Sequence, residues 1–115
     1  MTHQKSFGEI LKTLREDKLL TLREVAEALN IDTSMLGKIE KNSRRPTKIL
    51  IKKVAIYFKV DVKDLMIAFI SDMVVSQIMD TEVFANEVLK VAEKKVKYIK
   101  TKENLTNEIN HRSDI

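Results

Sequence analysis

The chain has 115 residues, 43% of them hydrophobic, no cysteine and a formal net charge of +4. That length makes one domain with room for an appended element, and the missing cysteines exclude a disulfide framework and a thiolate metal site. The most apolar run, Leu65 to Met79, contains Asp72 and falls short of the roughly 20 residues a membrane span needs; the polar opening MTHQKSFGEI does not read as a secretory leader.

Two glycines and one proline supply little turn material for a sheet, so an all-α fold is expected. Charge is unevenly placed. Residues 1–69 carry 14 Lys and Arg against 9 Asp and Glu, whereas residues 70–115 carry 7 against 8. Between Lys38 and Lys53 seven cations meet a single acid, a concentration that favours an anionic partner such as nucleic acid.

In chain order, SFGEILKTLREDK places Phe7, Ile10, Leu11 and Leu14 on one helical stripe, with Ser6 positioned as its N-cap. TLREVAEAL restarts with Thr21 and Glu24 three residues on, the spacing of a capping box. Leu22, Val25, Ala26 and Leu29 form its inner face, and Asn30 is suited to the left-handed stop. Asp32 is placed to cap a third helix, Thr33 to Glu40 or Lys41. Turning Leu36 inward puts Ile39 beside it and sends Ser34, Gly37, Lys38 and Lys41 outward. After the loop NSRRPT, Thr47 caps a fourth helix whose inner side carries Leu50, Ile51, Val54, Ala55 and Phe58. Asp61 opens a fifth, apolar on all sides, that runs to Met79 and is expected to be covered on more than one side. A sixth opens at Asp80 or Thr81 and reaches about Lys100, apolar over half its circumference. The remainder is polar and expected to be a tail. The expected organisation is therefore a first helical domain over 1–69, a second helical element over 70–100 and a polar tail over 101–115.

Two short capped helices joined by NID, the second opening on small hydroxyl residues, have the layout of a helix-turn-helix. In that motif the second helix enters the major groove. Thr33 and Ser34 are short enough to let the helix end approach base edges, and Lys38 can reach a guanine. Gly37, which costs a helix about 1 kcal/mol relative to Ala, stands on the same face.

The segment TLREVAEALNIDTSMLGKIEKNSRRPT resembles the lambda-repressor-like, Xre/Cro family of bacterial regulators, with the similarity extending from about Phe7 to Met66. The resemblance implies a five-helix domain with base contacts from Thr33, Ser34 and Lys38, with Gly37 on that face. Phosphate contacts would come from Thr21, Arg23, Lys41, Asn42, Ser43, Arg44 and Arg45. It also implies a structural ion pair between Arg15 and Glu40, and Glu40 does fall on the inner side of its helix. Leu22 stands where the family often has a phosphate-contacting Gln, and Asn42 replaces the usual Gly, a position where Asn still accepts positive φ.

One such domain reads few base pairs, so the appended apolar helices are expected to build a homodimer through Ile70, Val74, Ile78, Phe84, Val88, Val91 and Ile99. The layout is also similar to controller proteins of restriction–modification systems and to prophage-type repressors. The alternative from another class is an antitoxin-like protein whose C-terminal helices bind a partner protein. His3 and His111 have no companions at ligand spacing, so no metal is expected, nor any cofactor, small-molecule ligand or membrane association. No catalytic motif is present, and a cytoplasmic location is expected.

Overall fold

The computed structural model describes residues 4–113, with side chains to residue 109. The described residues are all-helical: α1 (Phe7–Asp17), α2 (Leu22–Leu29), α3 (Thr33–Glu40), α4 (Lys48–Phe58), α5 (Val62–Met79), a 3-10 turn (Glu82–Phe84) and α6 (Ala85–Ser113). The chain divides into two units, Met1–Val75 and Ser76–Ile115, the last turn of α5 belonging to the second. No helix among the described residues is long and apolar enough to cross a membrane. None of the described His, Asp and Glu residues forms a cluster able to hold a metal ion. His3 and the His111 side chain lie outside the described residues.

The first unit is built around one core. Phe7, Ile10 and Leu11 of α1, Val25, Ala26 and Leu29 of α2, and Leu36 and Ile39 of α3 are buried together. Leu50, Ile51, Val54, Ala55 and Phe58 of α4 and Leu65 and Phe69 of α5 complete it. Only one side of α5 is covered there. Leu65 is fully buried, whereas Ile67, Ile70, Val74 and Val75 on other sides are about half exposed, so the core of the first unit does not supply the cover expected on more than one side of this helix.

Helix starts follow local chemistry. The Ser6 hydroxyl accepts from Glu9 N–H (3.2 Å), Thr21 and Glu24 close a reciprocal capping box, and the Thr47 hydroxyl accepts from Leu50 N–H (3.1 Å). Asp61 accepts from Lys63 N–H (2.9 Å) at the head of α5. Asp32 occupies the N-cap of α3, but its side chain makes no capping bond.

The stops share one device. After α1, α2, α3 and α4 a single residue enters the left-handed region: Leu19, Asn30, Asn42 and Lys59, at φ from 55° to 62°. Leu20, Ile31, Ser43 and Val60 then donate backward across the last turn, to the carbonyls of Arg15, Ala26, Lys38 and Ala55. This is the Schellman closure, made four times without a glycine. At three of the stops the next residue is apolar (Leu20, Ile31, Val60) and packs against the core. At the fourth it is Ser43, and the chain leaves into the basic loop.

The second unit is an extension without a core of its own. Of its described large apolar residues Ile78 alone is buried, whereas Val83, Phe84, Val88, Leu89, Val91, Val96, Tyr98, Ile99 and Leu105 are 41–85% exposed. Helix α6 does not stop near Lys100 but continues to Ser113 through the stretch expected to be a tail. Leu105 and Ile109 prolong its apolar side, and the stretch contains neither Gly nor Pro to end it.

Leu19 combines a left-handed backbone with a side chain 91% exposed. A non-glycine residue there costs about 1 kcal/mol or more. Leu19→Gly removes that strain and loses no packing, against the greater chain entropy of Gly. The expected outcome in chemical denaturation is a stability gain of about 0.5–1 kcal/mol.

Candidate nucleic-acid interface

Helix α3 has two sides of opposite character. Leu36, Ile39 and Glu40 are buried, and Thr33, Ser34, Lys38 and Lys41 are exposed. The orientation is fixed by hydrophobic contact of Leu36 and Ile39 and by one charged contact. Arg15 of α1 donates from Nε to Glu40 Oε2 (2.8 Å) and from Nη2 to Glu40 Oε1 (3.0 Å). Its third nitrogen, Nη1, donates to the Leu20 carbonyl (2.9 Å). Glu40 is 5% exposed and Arg15 13%, so this is a buried bidentate pair. Hydrogen bonding to Glu40 raises the Arg15 pKa above its ordinary value, against the opposing effect of burial.

Backbone packing reinforces the pair. A Cβ on Gly8 would stand 2.8 Å from the Glu40 carbonyl oxygen and still nearer the Ile39 carbonyl, so α1 meets the end of α3 at a distance only glycine allows. Asn42 then donates from Nδ2 to Ser6 Oγ (2.9 Å), and the Phe7 N–H donates to Asp72 of α5 (2.8 Å). The start of α1 is thus tied to the loop after α3 and to α5. None of these three contacts was anticipated from sequence.

The loop after α3 presents Arg44 and Arg45, both exposed, beyond the left-handed Asn42. The side chains of Lys38, Lys41, Arg44 and Arg45 make no ion pair or hydrogen bond among the described residues. They form an uncompensated cationic rim beside the exposed face of α3.

Residues 11–65 match a helix-turn-helix family. The chain carries a helix-turn-helix domain of the lambda-repressor-like type. Among solved structures it is similar to the N-terminal DNA-binding domain of SinR from Bacillus subtilis. That similarity has 30% identity over 56% of this chain and 93% of that one, and a TM-score of 0.49. It is also similar to the clp gene regulator ClgR from Corynebacterium glutamicum, at 23% identity over 83% of this chain and 95% of that one, with a TM-score of 0.51; that likeness concerns the fold. No curated protein matches the chain.

Within this helix-turn-helix domain the expected contact residues separate into two groups. Thr33, Ser34 and Lys38 stand exposed along α3. Gly37 is helical and half-buried; a Cβ there would make only ordinary contact with Leu22, at 4.0 Å, so nothing in the protein itself requires glycine. Among the residues expected to meet phosphate, Lys41, Arg44 and Arg45 are unencumbered, but others are already engaged. Thr21 is committed to its capping box and Arg23 pairs with Glu27 (3.2 Å). The Asn42 amide bonds Ser6, and the Ser43 hydroxyl donates to the Lys38 carbonyl (3.1 Å). In the free protein the polar side chains of Asn42 and Ser43 therefore shape the turn. Among the residues expected at the interface, Ile78 stands apart. It is 9% exposed within the single chain and has little surface to give an interface, unlike Ile70, Val74, Phe84, Val88, Val91 and Ile99.

Removing one partner of a buried pair strands the other charge, at about 3–5 kcal/mol. Arg15→Ala and Glu40→Ala are each expected to destabilise the domain by about that amount. The double substitution should cost clearly less than the sum of the two. Urea unfolding of the three variants measures the coupling directly.

Proposed function

We propose that the protein is a transcriptional regulator that binds double-stranded DNA as a homodimer on a palindromic operator. The observation that carries this is α3 itself: its inner side is locked by Leu36, Ile39 and the Arg15–Glu40 pair, so its outer side is a fixed surface of short hydroxyl residues and one lysine. A helix presented in this way fits the major groove. Thr33 and Ser34 then lie at its leading end, and Lys38 one turn further on reaches a guanine edge. The cationic rim of Lys41, Arg44 and Arg45 meets the flanking phosphates, which supply affinity without sequence information.

The homodimer is supported by the second unit. Helix α6 holds a long apolar face in water, and an isolated helix gains nothing from such a face unless something covers it. A second copy also doubles the sequence that can be read, and its two-fold symmetry requires a palindromic site.

The division of roles within the site can be measured. Lys38→Ala should relax base preference at one position of each half-site, at about 1–3 kcal/mol per affected base. Arg44→Ala or Arg45→Ala should weaken cognate and random duplexes alike and lower the salt slope by about one unit. Site selection from a random pool, followed by titration at several salt concentrations, checks both. An unchanged consensus for Lys38→Ala removes that residue from base reading.

A further inference from the structure

Helix α6 carries a continuous heptad seam: Val88, Ala92, Lys95, Ile99, Lys102 and Thr106, spaced alternately by four and three residues. All six are exposed. The seam is flanked by exposed Val91, Val96 and Tyr98, so this is the centre of the apolar face and not its margin. Two lysines within it decide how it can be covered. In a parallel, in-register pair Lys95 would face Lys95 and Lys102 would face Lys102, like charges directly opposite in the layers on either side of Ile99.

We infer that α6 pairs antiparallel with α6 of a second copy, about a centre near Lys97. This pairing rests on the homodimer proposed above and specifies its geometry. Centred there, Lys95 lies opposite Ile99 of the partner, Lys102 opposite Ala92, and Val88 opposite Thr106. Each lysine stem then packs on an apolar or small residue, and no two lysines lie directly opposite each other. From its place opposite Ile99, the Lys95 ammonium reaches toward Glu103 of the second copy, about one helical turn away. The ends match as well, with Ile109 opposite the small Ala85.

The two pairings differ in a measurable length. Two antiparallel helices centred near Lys97 hold their Ala85 ends roughly 36 Å apart, at 1.5 Å per residue. A parallel pair would hold the same ends about 10 Å apart.

The absence of cysteine makes the test clean. Single substitutions Asn86→Cys, Lys97→Cys and Glu108→Cys place a spin label at exposed positions on the polar side of α6, opposite the seam. Inter-label distances are measured by pulsed electron resonance on the full-length chain, with mass by sedimentation on the same samples. The expected result is a dimer whose labels are closest at position 97. At positions 86 and 108 an axial offset of roughly 33 Å is added. A dimer with the same distance at all three positions overturns the antiparallel pairing and leaves the homodimer standing. A monomer with no inter-label distance overturns both, and α6 then serves a partner other than its own copy.

Discussion

The contact between Arg15 and Glu40 is the constraint on which the first unit turns. One guanidinium joins three places that sequence keeps apart: the body of α1, the carbonyl of Leu20 where the chain turns toward α2, and the last turn of α3. A buried pair of this kind adds little net stability compared with apolar residues of similar volume. Its effect is on geometry. The planar fork of arginine meets both carboxylate oxygens at once, which fixes the rotation of α3 about its own axis. That rotation decides which residues face outward. The carboxylate also has to be neutralised where it lies, because an unpaired acid beside a cationic rim would weaken the field the rim provides.

Around that pair the domain avoids flexible joints. Its four left-handed helix stops are occupied by Leu, Asn, Asn and Lys. Each substitutes side-chain constraint for the freedom glycine would bring to the unfolded chain. The glycines serve other ends: Gly8 admits the backbone of α3, and Gly37 is half-buried with room for a Cβ beside it. The result is a short, rigid scaffold that offers α3 and the following loop as one preformed surface, the condition for recognition without a large ordering cost. Helix α6 follows the opposite logic. Its apolar residues stand exposed to water, the face that the proposed second copy would cover.

What could be read from sequence divides by range. The caps at Ser6, Thr21 and Thr47 and the stop at Asn30 were legible because each acts within a few residues, through chemistry that residue type carries anywhere. The stops at Leu19 and Lys59 were not, since neither residue favours a left-handed backbone and the packing of Leu20 and Val60 imposes it. Gly8 and Asp72 were also silent. Gly8 is explained by residues 39–42, and Asp72 by a backbone N–H 65 positions away. Asn42 was legible as a turn residue but not as the donor to Ser6. The end of α6 is not legible, because a polar stretch without periodicity has the composition of a tail whether or not it is helical. Residues 101–113 contain neither Gly nor Pro to break the helix, although Thr, Asn, His and Ser are weak helix formers.

On the proposed function, α3 and its loop are the DNA-facing surface of a rigid domain. Amide hydrogen exchange, recorded for the protein alone and with a duplex carrying its selected site, tests this most directly. Protection should rise in residues 33–45 and at the head of α2, with the core of α4 unchanged. Protection gained mainly along α4 or α6, with residues 33–45 unaltered, would contradict it.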